Sequence, residues 1–218
     1  MARFILIVFT VFTVFIPRIN AIQNNPDQSE EVTQLRFYIQ NLVDQGYDLL
    51  NNPSLPNKAK RKEIRKLISR NLYLDWMARY TLGRHRRVMS EADIEEFVNI
   101  YSQFVVKAYT DLFEYYNGHR ALIKNIQQID EDSFITQMEI VKADSQSPIE
   151  VSYLIHRITV AGQKDQYKIA DIITEGISIL NSQQSEFNSV ILNQGLDVLI
   201  EDLQAKINAE KASKAKKG

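Results

Sequence analysis

The sequence predicts an α+β fold: a four-stranded antiparallel sheet packed against several helices that enclose an apolar cavity. Three observations predict it. Apolar residues recur at helical spacing between residues 32 and 117, the period falls to two between 121 and 173, and helical spacing returns from 182 onward. Helices, then strands, then helices is an α+β order rather than the alternation of a parallel sheet. One long helix has a wide aromatic face that must lie against a large apolar surface; a sheet covered by such helices can enclose a hollow, though the pattern alone does not show that it does.

The chain opens with Met1-Ala2-Arg3, a positive start, followed by thirteen uncharged residues from Phe4 to Ile16, then Pro17 and Arg18. This is the layout of an export signal, expected to be cleaved near Ala21, with an uncleaved N-terminal anchor as the alternative. Residues 1–21 are read as signal peptide, 22–211 as one domain outside the cytoplasm, and 212–218 as a disordered basic tail. No second apolar run of membrane length follows, so the mature chain is expected to be soluble. There is no cysteine, so an exported chain of this length must rely on ordinary burial rather than disulfides.

Residues 22–31 are polar and read as a frayed lead-in. A first helix is expected over 32–50 from Leu35, Tyr38, Ile39, Leu42, Val43 and Leu49, ended by the prolines at 53 and 56. A short basic helix over 58–70 carries the stripe Ile64, Leu67 and Ile68, and another runs over 72–82 to Gly83. The strongest helix signal covers 91–117. Ser90 and Asp93 suit a capping box, Met89 and Ile94 a hydrophobic staple, and the stripe runs from Ile94 through Phe97, Tyr101, Phe104, Val105 and Tyr109 to Tyr116. Strands are expected over 121–129, 134–141, 149–160 and 167–173, joined by short polar turns. Ile149, Val151, Tyr153 and Ile155 share one face, and the weakened alternation after His156, with Ile158 and Val160 on the other, suggests a bulge or cover on both sides. Helices over 182–192 and 196–211 close the chain.

Charge is balanced overall but segregated. Between Lys58 and Arg87 lie eleven basic residues and two acids, so this segment is strongly positive while the rest of the mature chain is negative. Such a zone suits an anionic partner; outside the cytoplasm, lipid headgroups or an acidic protein surface fit better than nucleic acid, and a solvated helix face is the bland reading.

Catalytic constellations are missing. His85, His119 and His156 are far apart with no zinc-binding spacing. His156 reads as a structural strand histidine. Gly176-Ile177-Ser178-Ile179-Leu180 lacks the second glycine of a nucleophile elbow, and no glycine-rich phosphate loop occurs. Asp130-Glu131-Asp132 reads as a hairpin turn, and Asp171 with Glu175 as an isolated acid pair. No metal and no cofactor is expected, and the chain is not read as an enzyme. Two alternatives stay open: a small cavity enzyme using Asp171 and His156, or an adaptor with a filled core and no ligand.

Several segments carry a resemblance. Asp75-Trp76-Met77-Ala78-Arg79-Tyr80-Thr81-Leu82-Gly83-Arg84-His85-Arg86-Arg87 resembles the D-F-x-x-M-A-x-x-x-L-G-x-x-W-R signature of the MlaC family, the periplasmic phospholipid-binding (toluene-tolerance) proteins. Tyr167-Lys168-Ile169-Ala170-Asp171-Ile172-Ile173-Thr174-Glu175-Gly176-Ile177-Ser178 is similar to that family's W-x-V-x-D-V-x-x-x-G-x-S stretch. The helix through Phe97, Phe104, Tyr109 and Tyr116, with Glu186-Phe187 and Gly195-Leu196-Asp197 further on, fits the remaining segments. The resemblance spans residues 32–203. Arg86 and Tyr167 stand where the family usually has Trp, and Gln184 where Arg is common.

The resemblance implies a periplasmic phospholipid carrier. It would shuttle lipid between an inner-membrane Mla ABC transporter complex and an outer-membrane lipoprotein–porin complex, and so maintain outer-membrane lipid asymmetry. Acyl chains would lie between the sheet and the long helices. The candidate lining is Met77, Leu82, Phe97, Tyr101, Phe104, Val105, Tyr109, Val151, Tyr153, Ile155, Ile169, Ile172, Phe187 and Ile191. Candidate docking or headgroup residues are Lys60, Arg61, Arg65, Lys66, Arg84 and Arg87.

Overall fold

The computed structural model describes residues 26–113, 116, 118–141, 147–159, 161–162 and 165–215. The expected export segment, Asn117, Val160 and the last three residues of the expected tail lie outside the described residues.

Helix α1 spans Pro26–Asn51, beginning within the stretch expected to be lead-in. Proline suits the first helical turn, where its missing N–H costs nothing. Leu35 and Ile39 anchor α1 in the core. The prolines at 53 and 56 then separate it from α2, Asn57–Asn71, which buries Ile64 and Leu67. The helix expected over 72–82 lacks its first two residues. Leu72 makes a parallel bridge to Ile169 and the Tyr73 N–H donates to the Ile169 carbonyl at 2.9 Å. These two residues cover part of a sheet edge before α3 begins, Leu74–Thr81. Gly83, with φ of +53°, turns the chain as expected, but Gly83–Arg87 then form a 3-10 turn.

Helix α4 spans Glu91–Leu112, with the capping box formed by Ser90 and Asp93. It stops five residues before the expected end. The Tyr116 N–H donates to the Phe113 carbonyl at 3.2 Å, a three-residue closure of the kind that often ends an α-helix. Close backbone approaches of α4 are to α2, α3 and α6. Arg79 fastens its start to α3, reaching Asp75, Glu91 and Glu95 at 3.1, 3.1 and 2.5 Å.

The sheet is an antiparallel meander in the order β1-β2-β3-β4-β5. Its strands are Arg120–Gln128, Ser133–Val141, Ile149–Ile158, Gln166–Thr174 and Ile177–Ser178. Five strands replace the expected four. Glu175 and Gly176 both have positive φ, 50° and 78°, and place Ile177 opposite Thr174. Two successive left-handed residues make the mirror-image turn that matches strand twist, and the two-residue strand that follows is too short for an alternation to reveal. A bulge does interrupt the β3–β4 pair, but between Leu154 and Ile155, and the extra residue is Ala170 on β4.

The two faces of β3 have different covers. Val151, Tyr153 and Ile155 pair with Met138, Thr136 and Phe134 of β2, all on one side. Tyr38 of α1 packs 5.6 Å from Tyr167, and Tyr167 lies 6.2 Å from Phe134, so α1 covers that side. On the other side Trp76 of α3 sits 4.8 Å from His156. Helix α5, Ile179–Gln194, starts at Ser178, whose hydroxyl accepts from the Asn181 N–H at 2.9 Å. Helix α6, Leu196–Ala215, continues four residues into the segment expected to be tail.

Candidate functional site

The candidate lining divides into two groups. Met77, Leu82, Phe97, Tyr101, Val105, Ile155, Ile169 and Phe187 are sealed in the core, none more than 5% exposed. Their centre is aromatic: Phe97 lies 5.8 Å from Tyr101, and Phe187 meets the two edge-on at 6.0 and 6.2 Å. The Tyr101 hydroxyl donates to Gln183 at 2.8 Å, so even its polar tip is satisfied. Such a cluster is close-packed protein interior.

Phe104, Tyr109, Val151, Tyr153, Ile172 and Ile191 are only half-buried. Phe104 looks toward α6, whose Lys206 ammonium stands 5.8 Å from its ring. Val151, Tyr153 and Ile172 adjoin one another on β3 and β4, with Tyr153 directly opposite Ile172. Tyr109 of α4 lies near enough for Asp171 and Tyr153 to act on it. Burial pushes the Tyr109 hydroxyl up, with Asp171 and Tyr153 adding to the shift. Burial likewise raises Tyr153, with Tyr47 of α1 contributing. Both tyrosines are half-buried, and Tyr153 sets a phenolic tip beside the apolar side chains of Val151 and Ile172.

Two further residues belong to this end. Tyr47 accepts from the Ala121 N–H at the start of β1 and lies 6.2 Å from the Tyr116 ring. Its signal was its place four residues after Val43, continuing the stripe past buried Gly46. Thr136 is fully buried, and its hydroxyl is without a partner among the described residues. The alternation Phe134, Thr136, Met138 could have placed it on the inner face.

The candidate acid and base groups have other occupations. Asp171 accepts from the Ile172 N–H at 2.8 Å, the Leu180 N–H at 3.0 Å and the Ser178 hydroxyl at 2.6 Å, which fixes the start of α5. His156 Nδ1 lies 2.9 Å from the Ser133 hydroxyl, and burial lowers its pKa despite Asp130 and Asp132 nearby. His85 pairs with Asn188 at 2.8 Å, and His119 lies against Tyr116. The Glu175 carboxylate accepts from the Glu150 N–H at 2.8 Å, and Arg157 holds Asp132 at 2.9 Å. Among the described residues no group of three or more His, Asp or Glu could hold a metal ion.

The basic zone is likewise divided. On α2, the Lys60 ammonium donates to the Leu50 carbonyl at 2.7 Å, Arg61 is bound to Asp111, and Lys66 pairs with Glu63 at 2.8 Å. Arg65 is exposed, as are Arg84, Arg86 and Arg87 on the 3-10 turn. The sequence brought these cations together as one run; the fold separates them into a helix with internal partners and a turn that faces water. Among the described residues no helix is long and apolar enough to cross a membrane.

Comparisons with known proteins agree with one another. A family model described as MlaC protein matches residues 40–205. The intermembrane phospholipid transport system binding protein MlaC of Haemophilus influenzae is 21% identical over 172 residues, covering 75% of this chain and 79% of that one. A phospholipid-binding protein from Ralstonia solanacearum, solved in complex with a phospholipid, shares the fold. It superposes with a TM-score of 0.63 over 82% of this chain and 97% of its own, at 11% identity.

Proposed function

The chain belongs to the MlaC protein family, and from that premise we propose that it carries phospholipid between two membranes, with the acyl chains held in a hollow beside Tyr109, Val151, Tyr153 and Ile172. One observation carries the reading. On β3 and β4 Val151, Tyr153 and Ile172 adjoin one another and stay half-buried, so an apolar patch of the sheet is left without complete cover. In a chain of this family such a patch suits acyl chains better than a fully packed interior does. The MlaC relative and the phospholipid complex support the choice of ligand.

The energetics suit a carrier. Each sheltered CH₂ contributes about 0.8 kcal/mol, so two long chains gain on the order of 20 kcal/mol relative to water. Release into solvent is then too slow to be useful, and a membrane or protein must receive the chains. The proposed location is the periplasm, after cleavage of the signal near Ala21. The proposed partners are the inner-membrane Mla ABC transporter complex and the outer-membrane lipoprotein–porin complex, serving lipid asymmetry of the outer membrane. Exposed Arg65, Arg84 and Arg87 are the proposed docking or headgroup residues.

Catalysis has little to draw on. Asp171 is committed to α5, and His156 packs on the side of the sheet opposite Tyr153. The test is organic extraction of gently purified protein with native mass spectrometry beside it. A bound mass of several hundred daltons, resolved as phospholipid, is expected. A protein that is folded, ligand-free and unable to take up phospholipid from vesicles overturns the proposal in favour of an adaptor.

A further inference from the structure

The 3-10 turn and the groove beside it have features that carrying lipid inside the protein does not use. Arg84, Arg86 and Arg87 are all exposed, and no hydrogen bond or ion pair engages them among the described residues. The nearest acids in sequence are spent: Asp75 and Glu91 on Arg79, and Asp93 in the α4 cap. On α5, Glu186 is likewise paired, with Lys206 at 3.5 Å. Next in the chain stands Val88, 87% exposed, an apolar tip directly after three uncompensated cations.

Beside the turn lies a groove of about 320 Å³, lined by Leu82, Gly83, Arg84, Gln184, Ser185 and Asn188. That is within the size range of small-molecule sites, with a wall of mixed polar and apolar surface. Its shape depends on Gly83. A Cβ there would stand 3.3 Å from the Gln184 amide, and the φ of +53° disfavours any side chain. Gln184 is itself fixed by donating to the Tyr80 carbonyl at 2.7 Å, and Asn188 by its oxygen on His85. The Asn188 NH₂ and the Arg84 guanidinium are left as donors at the groove.

We propose that Gly83–Arg87, Val88 and this groove form an external docking site for the phosphate headgroups of an anionic bilayer. Val88 enters between headgroups, Arg86 and Arg87 rest over neighbouring phosphates, and one headgroup occupies the groove against Arg84 and Asn188. A protruding apolar tip ringed by cations suits a deformable lipid surface. An acidic protein surface would have no use for a single protruding valine without a matching pocket, nor for a headgroup-sized groove with two free donors at its wall. This inference rests on the carrier reading and names where the carrier touches its membrane. Each arginine near such a surface strengthens binding roughly fivefold, an attraction that salt screens.

The test is co-sedimentation of the full mature chain with vesicles of phosphatidylcholine alone and of phosphatidylcholine with about a third phosphatidylglycerol. Bound lipid in the same preparation is measured by extraction. Binding is expected only to the anionic vesicles, and should weaken steeply between low and physiological salt. Arg86→Glu should weaken it about tenfold or more, Val88→Asp severalfold, and Ser185→Asp, which puts a negative charge at the groove, severalfold. All three positions are exposed or at the groove rim, and circular dichroism confirms that each variant folds. Vesicle binding that is absent, equal for both compositions, or unmoved by all three substitutions overturns the docking site. If such a protein still yields phospholipid on extraction, the carrier reading survives that failure; if it yields none and takes up none, the carrier reading falls as well.

Discussion

The two halves of α4 carry the same apolar stripe, yet they meet different surroundings. In the first half Phe97 and Tyr101 pack against Phe187 with nothing exposed and no polar atom left over. In the second half Tyr109 is only half-buried, as is Tyr153 on the sheet. One helix thus joins a filled core to the half-buried end where we propose the hollow. On that proposal the first half supplies the stability that lets the second leave space unfilled. A cavity lined with large side chains is costly to a fold, and a rigid neighbour is what makes it tolerable.

The sharpest way to break this comparison is Val151→Arg. Val151 adjoins Tyr153 on the half-buried patch. In a filled core an unpaired guanidinium would cost several kcal/mol, a large part of total stability. Beside a hollow with a mouth, its stem can lie along the wall while the charge reaches water. The expected product is folded and almost free of phospholipid. A folded and fully loaded variant would remove Val151 from the cavity, and an unfolded one would argue for a dense core.

Phe97→Ala is the complementary change at the sealed end. It should lower unfolding free energy by about 3–5 kcal/mol in urea titration. The fraction that remains folded should hold its lipid. Loss of lipid from a folded Phe97→Ala protein would mean that the two halves are one compartment. A smaller effect is expected from Tyr109→Phe, which keeps the ring and removes the hydroxyl. Stability should change by less than about 1 kcal/mol, because among the described residues no hydrogen bond engages that hydroxyl. If the variant instead loses several kcal/mol, the hydroxyl is part of a buried network and the end is closed.

Long periodic elements were legible in the sequence because each repeats its signal many times. The capping box at Ser90 and Asp93, the stripe of α4 and the four main strands are all of this kind. What stayed hidden depended on single residues or on partners distant in sequence. The β5 strand is two residues long. Leu72 takes an extended form only because the Ile169 edge is there to receive it. The site suffered more than the fold. Periodicity says which residues point inward, but not whether the space they face is filled, so Phe97 and Tyr109 look alike in sequence. Charge runs mislead in the same way: Arg61 and Arg84 read as one zone until Asp111 is found 50 residues away against the first.

The smallest expected effect tests which side of the sheet answers to pH. His156 lies opposite Tyr153 on β3, against Trp76 and Tyr73, with its Nε2 buried and lacking a partner among the described residues. Burial holds its pKa below the ordinary value of about 6.5, overriding the pull of Asp130 and Asp132. A depressed folded-state pKa on a base means that the unfolded chain takes up the proton first. The stabilising contribution is therefore whole above about pH 6.5, falls as pH drops through the unfolded value, and is fully lost below the folded one. Trp76 is the only tryptophan in the chain, and its ring lies 4.8 Å from the imidazole. Its emission should follow His156 protonation, with a midpoint below 6.5. Unfolding free energy should fall modestly from pH 7 to pH 5, and His156→Gln should flatten both curves. Lipid content of the folded protein should stay constant over the same range, because the titrating ring and the proposed hollow lie on opposite faces of β3. Lipid released in step with the Trp76 signal would show instead that the two faces are coupled.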